Sequence, residues 1–178
     1  MARPRSFDPD DTLLELKALF WANGYDGASM QDIEKATGLN KQSLYRQWGD
    51  KRRMYLAALQ SYAREEMTAA AKVLAASEPL RERLETLFYA AAKEADPRGC
   101  FMCNASIDQA QSDEATHEAV QAMMRSSLKA FKKALGPGRE HEAAALQASY
   151  HGLRVMAAAG LPRNVLMQVA KGALAQIT

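Results

Sequence analysis

The chain has 178 residues, of which 48% are apolar and 25% charged, and its net charge is only +2. That is enough for one sizeable core, or for a small module joined to a larger one, and it excludes a polycationic or disordered chain. Any nucleic-acid binding must therefore rest on a local patch. The only two cysteines stand at 100 and 103, too few for a disulfide framework. No apolar run approaches the roughly 20 residues of a membrane span, and the opening Met-Ala-Arg-Pro-Arg-Ser lacks the apolar segment of a signal peptide. A cytoplasmic protein with no membrane partner is expected.

Helix-forming residues dominate and apolar side chains recur every three or four positions, which predicts an all-α fold without strands. Asp8 can cap the first helix, Pro9 suits its first position, and Asp10 and Asp11 complement the positive dipole end. Leu13, Leu16 and Phe20 mark its buried face, and Asn23-Gly24 ends it. A short helix is expected from about Met30 to Thr37, with Ser29 as cap and Asp32 in the capping-box position. Gly38-Leu39 makes a tight turn, Asn40 caps again, and a third helix covers about Lys41 to Gln47. Gly49-Asp50 breaks the chain before further helices near 51–76, 79–95, 100–111, 114–135, 139–159 and 163–176. The breaks between them carry Pro, Gly, Ser or Asp.

Two short helices around a Gly-containing turn are the layout of a helix-turn-helix, whose second helix enters the DNA major groove. Ile33, Ala36, Leu39 and Leu44 supply the inward positions. That leaves Lys41, Gln42, Ser43, Tyr45 and Arg46 outward, where Gln, Ser and Arg suit base edges and Lys and Tyr suit phosphates. Residues 35–53 hold six cations and one acid, a net of +5, so the rest of the chain sums to −3. Lys51, Arg52 and Arg53 fall in the first turn of the fourth helix, where the macrodipole disfavours cations. That placement fits a phosphate held by the helix N-terminus and Lys51. The competing reading is a helical hairpin with a solvated basic face.

The run from Ser29-Met-Gln-Asp-Ile-Glu through Gly38-Leu-Asn to Leu44-Tyr-Arg-Gln-Trp-Gly-Asp-Lys51 resembles the signature of the tetracycline-repressor (TetR) family. Leu19-Phe-Trp-Ala-Asn-Gly-Tyr25 resembles the end of that family's first helix. The likeness covers about residues 7–59. Glu34 departs from the usual Ala and needs an exposed or paired position. Gln42 departs at a groove-facing site, and Asn40 and Trp48 depart conservatively. The resemblance implies an all-α homodimer with a three-helix helix-turn-helix DNA-binding head over 1–50 and a larger helical effector-binding and dimerisation body over 51–178. The family signature also places Ser29 among the candidate DNA-binding residues. Arg3 and Arg5 would touch phosphate or the minor groove, or form only a basic tail.

The last two helices are rich in small residues: Ala143, Ala144, Ala145, Ala148, Ala157, Ala158 and Ala159. The resemblance implies that they build a four-helix dimer interface; the alternative is an intramolecular core. Arg98-Gly-Cys-Phe-Met-Cys-Asn104 is the distinctive motif of the body. A zinc site needs four convergent ligands, and the two cysteines with scattered His117, His141 and His151 supply no recognised spacing, so no metal is expected. A thioredoxin-like pair would need a βαβ context. The motif also resembles a TetR subgroup in which some members respond to electrophiles or oxidants, which implies an effector or redox-sensing role for Cys100 and Cys103. The helix dipole and nearby Arg98 would favour the Cys100 thiolate; inert apolar packing is the plain alternative. Phe88, Phe101, Met102, Met123, Met124, Phe131, Tyr150 and Met156 are candidate pocket residues, although their spacing suits ordinary core.

No phosphate-binding Gly loop or nucleophile elbow appears, and His141-Glu142 lacks the second His of a zinc-protease motif, so neither an enzyme nor a cofactor is expected. The expected function is a transcriptional regulator, a repressor, that binds a palindromic operator as a homodimer. A small molecule, electrophile or oxidant of unknown identity would release it. The alternative is a DNA-binding helical protein without an effector ligand.

Overall fold

The computed structural model describes residues 8–93, 96–175 and 177, which form nine α-helices and no strand. Helix α1 (Pro9–Gly27) starts where the Asp8 carboxylate accepts the Asp10 N–H at 2.9 Å. At Gly24 the backbone leaves helical geometry (φ 71°, ψ −177°), as expected, but it then resumes for one short turn. Helix α2 (Met30–Thr37) carries the full reciprocal capping box between Ser29 and Asp32. Gly38 then turns the chain at a left-handed φ of 66°, a conformation that favours glycine. Asn40 caps α3 (Lys41–Trp48) and Asp50 caps α4 (Lys51–Leu74).

The remaining helices are α5 (Leu80–Lys93), α6 (Phe101–Ile107), α7 (Glu114–Leu135), α8 (Glu140–Ala158) and α9 (Arg163–Ala175). The single helix expected over 100–111 is divided. Asp108 takes φ −98° and ψ −93°, and a 3₁₀ turn follows over Gln109–Gln111.

Two apolar clusters hold the helices together. The first joins Leu16 and Phe20 of α1, Ile33 of α2, Leu44 of α3 and Tyr55 of α4 to Phe101 of α6. Tyr55 meets Phe20 edge-on at 5.3 Å and Phe101 at 5.6 Å, pairs worth about 0.5–1.5 kcal/mol each beyond area burial. The second cluster packs Leu84 and Phe88 of α5 against α7, α8 and α9. Helix α4 contributes Met54 to Tyr62 to the first cluster and Leu74 to the second. The core therefore crosses residue 50 unbroken, and α4 and α6 tie the three N-terminal helices to the body.

Candidate nucleic-acid interface and body sites

Ile33 and Leu44 are fully buried and lock α2 and α3 together. With those faces turned inward, Lys41, Gln42, Tyr45 and Arg46 are exposed along α3, while Ser43 is half-buried. The Ser43 N–H donates to Asn40 Oδ1 at 2.9 Å. Lys41 Nζ lies 5.3 Å from the Tyr45 ring centroid, so the two sit side by side on the exposed face. Glu34, the residue that departs most from the family pattern, is partnered: its carboxylate accepts the Lys41 N–H. It thus supplies a negative charge at the N-terminus of α3, where the helix dipole stabilises one.

Two of the three cations in the first turn of α4 have side-chain partners of their own. Lys51 Nζ stands 4.4 Å from the Tyr25 ring centroid, and Arg52 pairs with Asp113. Asp50 already accepts the Arg53 N–H at 2.8 Å. Lys51 and Arg52 therefore each have a contact within the chain that offsets part of their unfavourable place at the helix N-terminus. Ser29 is exposed, with its hydroxyl donating to Asp32 Oδ2 at 2.6 Å. That bond and the backbone bond to Ser29 hold the Asp32 carboxyl below its usual range. Arg3 and Arg5 lie outside the described residues.

The body brings together what the sequence leaves scattered. Gly99 adopts φ 72°, and a Cβ there would stand 2.6 Å from Ala158 Cβ. Only glycine lets the loop lie so close to α8. That approach sets Cys100, the N-cap residue of α6, and Cys103 against His151 of α8. Cys103 Sγ lies 3.8 Å from His151 Nδ1, and Ser127 Oγ of α7 lies 3.3 Å from His151 Nε2. Cys100 is fully buried, and Cys103 and His151 are each 9% exposed.

The cation beside this pair is not the one expected. Arg98 turns away to Asp96, with its guanidinium bonded at 2.8 Å and stacked 3.8 Å from the Trp21 ring centroid. Arg154 of α8 takes its place. Hydrogen bonds from Cys103 and His151 and the Arg154 charge pull the Cys100 thiol below its usual range, against the opposing effect of burial. Hydrogen bonding to Cys100, and then burial, push Cys103 up. His151 is the residue that spacing missed, because 48 positions separate it from Cys103.

A cleft of about 370 Å³ opens beside this site, with Trp21, Glu66, Thr86, Tyr150 and Arg154 in its walls. Arg154 donates to Tyr62 Oη at 2.6 Å and pairs with Glu66 across the cleft. Of the other candidate pocket residues, Phe88, Phe101, Met102 and Phe131 are buried core. On α8, Ala144, Ala148 and Val155 form an exposed stripe that continues to the C-cap residue Ala159, with Val155 51% exposed. Ala143 and Ala157 instead face the core of their own chain.

A helix-turn-helix with an exposed, basic second helix, carried on a helical body, defines the class of DNA-binding transcriptional regulators. This chain matches the model of the bacterial regulatory proteins of the tetR family over residues 15–58. It is 31% identical to the HTH-type transcriptional regulator YezE of Bacillus subtilis (strain 168) over 64% of this chain, and the match spans 60% of that protein's length. It is 29% identical to the HTH-type transcriptional repressor ComR of Escherichia coli (strain K12), over 94% of this chain and 88% of the relative. Among solved structures, a cysteine mutant of the TetR family transcriptional regulator CifR, complexed with 26-base-pair operator DNA, superposes with a TM-score of 0.89. It shares 27% identity, covering 99% of this chain and 100% of that one. None of the described helices is long and apolar enough to cross a membrane.

Proposed function

We propose that this regulator is a repressor that binds a palindromic operator as a homodimer, and that a signal received in the body releases it. The observation that carries this reading is the exposed row Lys41, Gln42, Tyr45 and Arg46 on a helix anchored by buried Leu44. Two such helices related by a two-fold axis present equivalent surfaces to two half-sites. The operator complex of CifR and the repressor ComR support the reading by similarity. The exposed small-residue stripe on α8 supports dimerisation, because small side chains let symmetry-related helices approach closely.

The signal is a small molecule in the cleft lined by Trp21, Tyr150 and Arg154, or an electrophile or oxidant acting on Cys100 and Cys103. Cys100 is fully buried beneath α8, so an adduct there has to displace packed atoms. The displaced helices include α6, which packs against the same cluster as α1 and α2. A shift between two arrangements of that cluster changes head spacing and hence the fit to two half-sites. The test is to select DNA fragments with the purified protein, sequence them, and measure affinity for the selected duplex and for random duplex. A palindromic consensus with strong preference over random DNA is expected. Equal affinity for both at high salt would reduce the chain to a non-specific DNA-binding protein.

A further inference from the structure

We propose that Cys100, Cys103 and His151 form a binding site for a soft, closed-shell metal ion, Zn(II) or Cu(I). Their three candidate ligand atoms lie within 4.8 Å of one another. Metal–sulfur bonds of about 2.3 Å and metal–nitrogen bonds of about 2.0 Å place neighbouring ligand atoms about 3.5–4 Å apart. The observed 3.8 Å between Cys103 Sγ and His151 Nδ1 falls inside that range. Two sulfurs and an imidazole make a donor set that selects thiophilic ions over calcium or magnesium.

A second observation points the same way. His151 Nε2 lies 3.3 Å from Ser127 Oγ, and an Nε2–H donating there leaves the Nδ1 lone pair facing the cysteines. Bonding of the outer ring nitrogen to a supporting group is the usual way a protein orients an imidazole ligand. Zinc requires a fourth ligand besides these three, whereas Cu(I) is satisfied with three. On binding, two metal–thiolate bonds and one metal–imidazole bond form, and any proton still held by the cysteines passes to solvent. No electron is transferred. The partly exposed edges of Cys103 and His151 give the ion its way in. Once bound, it joins α6 directly to α8.

The site is tested with fully reduced, metal-free protein dialysed against Zn(II) in one arm and against chelator-buffered Cu(I), without oxygen, in the other. One ion per chain is expected in at least one arm, and the arm that fills identifies the ion. Binding should protect both thiols from alkylation by N-ethylmaleimide. His151→Ala keeps both thiols and should weaken binding by about 10–100-fold or more, whereas His141→Ala, at an exposed position, should bind as wild type does. Well under one ion per chain in both arms, or unchanged affinity in His151→Ala, overturns the site. X-ray absorption of the loaded wild type decides the matter if His151→Ala does not fold. Two sulfur ligands with a nitrogen ligand support the site, and a shell without sulfur overturns it. None of these measurements uses DNA, so failure of the operator reading would leave their outcome untouched.

Discussion

At the scale of single residues, the exposed face of α3 separates two kinds of contact. Gln42 and Arg46 carry side chains suited to base edges, and each good bidentate contact discriminates by about 1–3 kcal/mol. Gln42→Ala or Arg46→Ala should therefore narrow the gap between selected and mismatched duplexes by about that amount, as read by fluorescence anisotropy. Lys51 is suited to phosphate. Lys51→Ala should weaken binding to all sequences and reduce the slope of log K against log salt by about one. An unchanged slope would mean that Lys51 serves only its contact with Tyr25, 4.4 Å away. Gly99→Ala makes a structural test, since the new methyl would meet Ala158 Cβ at 2.6 Å in a left-handed backbone. A fall in Tm is expected, with a cost of roughly 1–3 kcal/mol from overpacking and strain.

Contacts between helices set the next scale. Asp96 accepts from the Arg98 guanidinium, and from the Arg98 backbone N–H at 2.8 Å. The Arg98 side-chain bond, followed by the backbone bond, holds its carboxyl below the usual range. The folded state therefore favours the ionised form. The resulting stability is present above the ordinary carboxylate pKa of about 3.9 and is lost as pH falls below it. Asp96→Asn should lower Tm more at pH 7 than at pH 3.5, and an equal loss at both would exclude the ion pair as the cause. On α8, Ala148 belongs to the exposed stripe, whereas Ala158 abuts Gly99 of its own chain. Ala148→Glu should thus split the dimer in sedimentation while the helical circular-dichroism signal persists. If the variant stays dimeric, the interface lies on another face.

The whole molecule couples these parts through α4, which contributes to both apolar clusters, and through α6, which packs with the head. A signal at the cysteines needs to move only α6 against α8 to disturb the cluster that supports α2 and α3. Treatment with an electrophile or mild oxidant should release wild-type protein from its operator. Cys100→Ser should hold the DNA, and Cys103→Ser should respond in part. If Cys100→Ser and wild type release alike, Cys100 is packing and the effector acts without covalent chemistry, in the cleft beside Arg154.

The helix-turn-helix is legible along the chain: the caps at Ser29, Asn40 and Asp50, the left-handed Gly38 and the phase of Ile33 against Leu44 are all local. A cap or a helical face is decided by residues within about four positions, so these features can be read along the chain. For the same reason the punctuation placed the body helices closely, missing only the division at Asp108 and the extra turn after Gly24. Tertiary structure alone decided which side chains meet. It paired Arg52 with Asp113, set Arg154 instead of Arg98 beside Cys100, and carried His151 onto two cysteines far away in sequence. Such encounters depend on how packed helices are rotated and stacked against one another, which no local spacing specifies.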